Sequence, residues 1–191
     1  MIRSCVVALA VGAAAPAFAQ VSLMGWVNVD NVFTAYISTS PTDLGTPFMS
    51  GDSWPTTYTG NYVFPSAGTY YLHVLATDQG RPEMFIGTFE LQNANGSTFS
   101  NGADALLTNT SNWVVSNTGV GMNTSAPLDL GQNGGGAWGN LPGQAPLAHF
   151  LWAPDYTPTV YFTTVINVVP TPGALVSLSL LGTAALRRRA R

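Results

Sequence analysis

The chain has 191 residues, room for one ordinary domain, and its formal charge of −3 is very unevenly spread. Its only cysteine, Cys5, rules out an internal disulfide framework; Arg81 is the only cation between residues 20 and 169, where all nine carboxylates also lie, a formal charge of −8. Such a body repels phosphate backbones, which argues against nucleic acid as a partner.

The first 19 residues read as a secretory signal peptide. Arg3 makes the basic tip, residues 5–15 an apolar run, and Ala17-Phe18-Ala19 a small-residue cleavage site before Gln20. Residues 20–168 then follow a period of two. Tyr70, Leu72, Val74 and Ala76 share one face of a strand over residues 70–77, and Phe85, Gly87, Phe89 and Leu91 alternate in the same way. Further strands are expected at 21–29, 32–38, 58–64, 113–116, 148–152 and 160–168, separated by turn-rich clusters such as Ser40-Pro41-Thr42-Asp43 and Gln79-Gly80-Arg81-Pro82. Only residues 103–107 read as a short helical turn, and residues 118–144, with Gly134-Gly135-Gly136 before Trp138, read as a long loop. Many short strands at this spacing predict an all-β domain, an antiparallel β-sandwich of jelly-roll type. It would be flanked by the signal-peptide helix and a short hydrophobic helix at the C-terminus.

Candidate chemistry is sparse. Gly51-Asp52-Ser53-Trp54 is similar to the nucleophile block of GDSL-type esterases. Neither His73 nor His149 has an Asp three residues before it, however, and Pro55 blocks a following helix, so the stretch is read as a turn. Lack of body cysteines and the isolation of the two histidines exclude a soft-ligand metal centre. Oxygen ligands are plentiful, and Asp30, Asn31, Asp78 and Asp104 could meet at one end of the sandwich around a structural calcium ion; no other cofactor is expected. Asp129-Leu130-Gly131-Gln132-Asn133-Gly134 resembles an EF-hand loop but has Asn140 where the twelfth-position acid belongs. Trp26, Trp113 and Trp152 fall within strands and are expected in the core. Trp54 and Trp138 fall in loops, where a flat indole can stack on a sugar, and Arg81 could fork onto a hydroxyl or carboxylate of the same ligand.

The end of the chain is the most specific stretch. Val169-Pro170-Thr171-Pro172 is followed by an apolar segment at 174–186 and then Arg187, Arg188 and Arg189. As a helix that segment would be about 20 Å long against a hydrocarbon core of about 30 Å, a marginal span with arginines to stop it on the cytoplasmic side. The pattern over 169–191 resembles a PEP-CTERM sorting domain, with Thr171 where the usual Glu stands. The resemblance implies recognition by an exosortase, a membrane protease that processes exported proteins, after a transient association of the tail with the inner membrane. It also implies release to the cell surface or matrix, among exopolysaccharide.

A second resemblance covers the body. The run from Asp30 through Phe33 and Tyr36 to Ile37, the strand Tyr70-Tyr71-Leu72-His73-Val74 and the pair Phe150-Leu151-Trp152 with Val160-Tyr161-Phe162 are similar to strands of galactose-binding-like β-sandwiches. The sequence is therefore read as an exported, non-catalytic surface or matrix protein with polysaccharide as a potential partner. The alternative is a secreted hydrolase whose site is assembled only by folding.

Overall fold

The computed structural model describes residues 20–170, and every regular element there is a strand. The expected signal peptide, and from the tail Thr171, Pro172, Arg187, Arg188 and Arg189, lie outside the described residues, as do both expected helices. Among the described residues no helix is long and apolar enough to cross a membrane.

In chain order the strands are β1 (Ser22–Asp30), β2 (Val32–Ser38), β3 (Thr46–Gly51), β4 (Tyr58–Val63), β5 (Gly68–Thr77), β6 (Met84–Gln92), β7 (Thr98–Phe99), β8 (Ala105–Leu107), β9 (Val114–Ser116), β10 (Leu128–Gln132), β11 (His149–Trp152) and β12 (Thr159–Val168). They form two antiparallel sheets. The first runs β10-β11-β6-β1-β4, with β8 sharing an edge of β6 with β11; the second runs β3-β2-β5-β12-β7, with β9 sharing an edge of β12 with β7.

One core joins the inner faces of the two sheets. The alternation expected on β5 is observed: Tyr70, Leu72, Val74 and Ala76 are all buried. From β6 come Phe85, Phe89 and Leu91; Phe85 meets Phe162 of the second sheet with ring centroids 4.6 Å apart, and Phe33 meets Tyr58 at 5.8 Å. Each such ring contributes about 1.5–3 kcal/mol by leaving water. Gly87 makes room for one of them: a Cβ there would come within 2.6 Å of the Phe89 ring, which lies over it on the same strand.

Two expectations give way to tertiary context, and one strand appears where none was expected. Residues 105–107 are a strand, not a helical turn, because β8 pairs Glu90 through Thr88 on a free stretch of β6 and turns Leu106 into the core. Pro47 and Gly51 hid β3 in the sequence, yet β3 is an edge strand and Pro47 sits beside a register shift, where proline costs no ladder bond. The long loop at 118–144 likewise contains the edge strand β10, irregular between Asp129 and Gln132 where Gly131 takes a φ of 106°. Trp26 is half-buried: it shares the outward parity of Ser22 and Met24, while Val27 and Leu23 point inward.

Both ends of this unit, Gln20–Thr171, leave from one pole. The turn between β6 and β7 holds them: Asn93 Nδ2 donates to the Gln20 carbonyl at 3.4 Å, and the Val169 N–H donates to Ser97 Oγ at 3.0 Å.

Candidate functional site

Most of the expected site residues gather at the opposite pole. Asp30 ends β1 and is buried; its Oδ2 accepts the Trp138 indole N–H at 3.1 Å and its Oδ1 the Asn31 side-chain amide at 2.6 Å. Asn31 Oδ1 in turn accepts the Gln79 N–H at 2.6 Å, and Asp78 Oδ1 accepts the Gly80 N–H at 3.0 Å. Burial pushes the Asp30 carboxyl up; the Trp138 hydrogen bond opposes this, and the negative charges of Asp78 and Glu83 add to it. Arg81 lies 3.5 Å from the buried Glu83 carboxylate, and its guanidinium sits over the Tyr156 ring at 5.2 Å.

The proposed calcium quartet is not assembled. Asp104 precedes β8, and its carbonyl accepts the Leu91 N–H, whereas Asp30 pairs with Met84. Seven residues of strand separate those levels of β6, about 23 Å. Among the described residues no group of three or more His, Cys, Asp or Glu is placed to hold a metal ion.

The two loop tryptophans also part company. Trp138 is no open platform: its ring packs on Phe150, centroids 5.1 Å apart, and it lids a second cluster of Met84, Ile86, Leu141, Ala148 and Phe150 on the outer face of the first sheet. Trp54 stays 37% exposed in the turn after β3, with its carbonyl accepting Asn28 Nδ2 at 2.9 Å. In the same turn the Ser53 carbonyl accepts the Thr56 N–H, so the esterase-like motif is a turn as expected.

The segment that carries Trp138 is fastened by a polar network that no motif announces. Fully buried Asn28 accepts from Thr57 Oγ1 at 3.0 Å and Gln144 Nε2 at 2.8 Å, and Gln144 Oε1 accepts from Thr88 Oγ1 at 3.0 Å. Nearby, His149 Nδ1 stands 2.9 Å from both Asp129 carboxylate oxygens. Partial burial pushes the Asp129 carboxyl up, but the bonds from His149 and the Gly131 N–H outweigh it and hold it below its ordinary value.

A different site lies on the outer face of the second sheet. Ladder register sets Tyr36, His73 and Thr163 side by side across β2, β5 and β12. The His73 ring is fully buried there under the segment after β2; Nε2 is 3.3 Å from the Ser40 carbonyl and Nδ1 is 2.8 Å from Thr163 Oγ1. A carbonyl can only accept, so Nε2 carries the hydrogen and Nδ1 accepts the Thr163 hydroxyl proton. Burial holds the imidazole below its ordinary value, with the Ser40 carbonyl and the Asp43 charge opposing, and so favours this neutral form. Tyr71 lies parallel to the ring, 5° off plane with centroids 6.1 Å apart.

Beside this pair opens a cleft of about 370 Å³, within the roughly 300–1,000 Å³ of small-molecule clefts. Tyr71, Ser111, Thr124 and Thr163 line it, together with Pro41 and Gly121. None of the lining side chains is charged. Gly121 takes a φ of 65° and touches the Pro41 carbonyl so closely that a Cβ has no room. No protein-family model, curated protein or solved structure matches the chain.

Proposed function

We propose that this is an exported, non-catalytic protein of the cell surface or extracellular matrix, sorted through its tail by an exosortase-type protease and holding neutral polysaccharide. Its body is an antiparallel β-sandwich of jelly-roll type, similar to galactose-binding-like domains. The observation that carries the reading is where the folded unit closes. Strand order begins two residues after the expected signal cleavage, β12 ends at Val168, and the Asn93–Ser97 turn ties both ends at one pole. Removing the segments on either side leaves every ladder intact, as a cargo processed at both ends requires. The bulk of the lateral surface and the opposite pole, with Trp54 and Arg81, then face away from the attachment point.

The alternative of a secreted hydrolase draws on one observation, the Thr163–His73–Ser40 chain of hydroxyl, imidazole and carbonyl. The nitrogen that takes a nucleophile's proton must then deliver it to the leaving group of a substrate docked beside it, and the fully buried His73 ring leaves a substrate no approach. The pair is better suited to supporting a binding surface. Cell fractionation with intact-mass measurement tests the sorting reading: the mature protein should be found outside the inner membrane, lacking residues 1–19 and the arginines at 187–189. A protein that keeps those arginines and stays in the inner membrane would contradict it. Neutralising Arg187, Arg188 and Arg189 together should impair the membrane stop and leave the tail unprocessed.

A further inference from the structure

We infer that the cleft beside Tyr71 and Thr163 on the outer face of the second sheet is the binding site for a neutral, polyhydroxylated ligand, a sugar unit of a polysaccharide chain. The inference rests on the polysaccharide-holding reading above and gives it a site away from both loop tryptophans. Three features select the ligand class. An anion meets no cation, because the lining is uncharged and the body's only cation, Arg81, is not part of it. An apolar ligand would strand the hydroxyls of Tyr71, Ser111 and Thr124, which make no hydrogen bond to other described residues, and desolvating them without partners is costly. A sugar satisfies these groups and offers a C–H face to the Tyr71 ring.

The His73 contact adds a direction to the recognition. Thr163 lines the cleft although it is largely buried, and with its own hydrogen committed to His73 Nδ1 its oxygen can meet a ligand only as an acceptor, so it reads an O–H donor. Ser111 and Thr124 retain rotatable hydroxyls and serve as either donor or acceptor. The close Gly121–Pro41 contact fixes the spacing of the lining there, so little of the site has to order on binding.

Titration calorimetry of the intact chain against maltotriose, cellotriose and laminaritriose, with trigalacturonate as the charged comparator, tests the inference. At least one neutral trisaccharide should bind and trigalacturonate should not. Tyr71→Ala and Thr163→Val should each weaken binding about tenfold, the loss of one aromatic or hydrogen-bond contact, while Thr163→Ser retains it. Should either variant lose its near-ultraviolet dichroism, the lining pair Ser111→Ala with Thr124→Ala, both exposed, carries the same expectation. Parent-like affinity in the folded cleft variants, or preference for trigalacturonate, would overturn the site. Binding that disappears with Trp54→Ala but survives Tyr71→Ala would overturn the cleft and leave the polysaccharide reading standing. No binding of any neutral trisaccharide by the parent would overturn both, while the sorting reading stays with the mass measurement.

Discussion

The outer faces of the two sheets have opposite fates. On the first sheet β6 presents Met84 and Ile86 outward and β11 presents Phe150 beside them, and the segment carrying Trp138 and Leu141 folds over all three. On the second sheet the outward residues of β2, β5 and β12 include Tyr36, Tyr71, His73, Tyr161 and Thr163 alongside the half-buried Val32, Leu75 and Val165, and short loops cover only part of that row. Apolar outward residues draw a chain segment over themselves because burial is favourable; amphipathic rings and hydroxyls are stable against water and need no cover. One sheet therefore doubles the core, and the other keeps a row of aromatic and hydroxyl side chains that is only partly covered.

Breaking the closed face should have the largest effect. Phe150→Ala empties the centre of the second cluster and should cost about 3–5 kcal/mol, seen as a lowered midpoint in thermal denaturation; a midpoint unchanged from the parent would mean the cover contributes no core. Asn28→Ala comes next. It leaves Gln144 Nε2 and the Trp54 carbonyl without their partner, while Thr57 keeps the Pro142 carbonyl, and should cost about 1–3 kcal/mol in urea unfolding.

The open face contributes a pH dependence of smaller size. The folded His73 resists protonation, so the unfolded chain binds more protons as pH falls. Its stability contribution is complete above the unfolded value of about 6.5 and is lost as pH falls below it. Urea midpoints measured from pH 7.5 to 5 should decline, and His73→Gln should flatten that decline; an equal slope in both proteins would place the titration elsewhere. The smallest effect belongs to Trp54→Ala at the exposed turn, expected within about 0.5 kcal/mol of the parent.

How much of this was legible in the sequence follows from which interactions are local. Alternation within a strand is local, so the buried faces of β5 and β6 were readable from Tyr70 to Ala76 and from Phe85 to Leu91. Trp26 lies in a strand but on the outward parity of Ser22 and Met24, so strand membership alone does not put it in the core. Strands β3, β8 and β10 answer to neighbours distant in the chain, and their Pro47, Ala105 and Gly131 signal other structures locally. The site depended on register most of all. Tyr71 and His73 visibly share the outward face of one strand, but Thr163 lies 90 residues away, and only the β5–β12 ladder sets it against His73. Loop position likewise gave Trp54 and Trp138 equal standing; Asp30 and Phe150, from two other strands, are what draw Trp138 down.

Hydroxyl-radical footprinting of the intact chain, with and without each of the neutral trisaccharides proposed as ligands, tests the contrast between the two faces most directly. The account predicts that Tyr71 is oxidised in the free protein and protected by the sugar, while Met84, Ile86 and Phe150 stay unmodified in both samples and Trp54 is oxidised equally in both. Unprotected Tyr71, or oxidation of Met84 and Phe150 at the rate of Trp54, would contradict it.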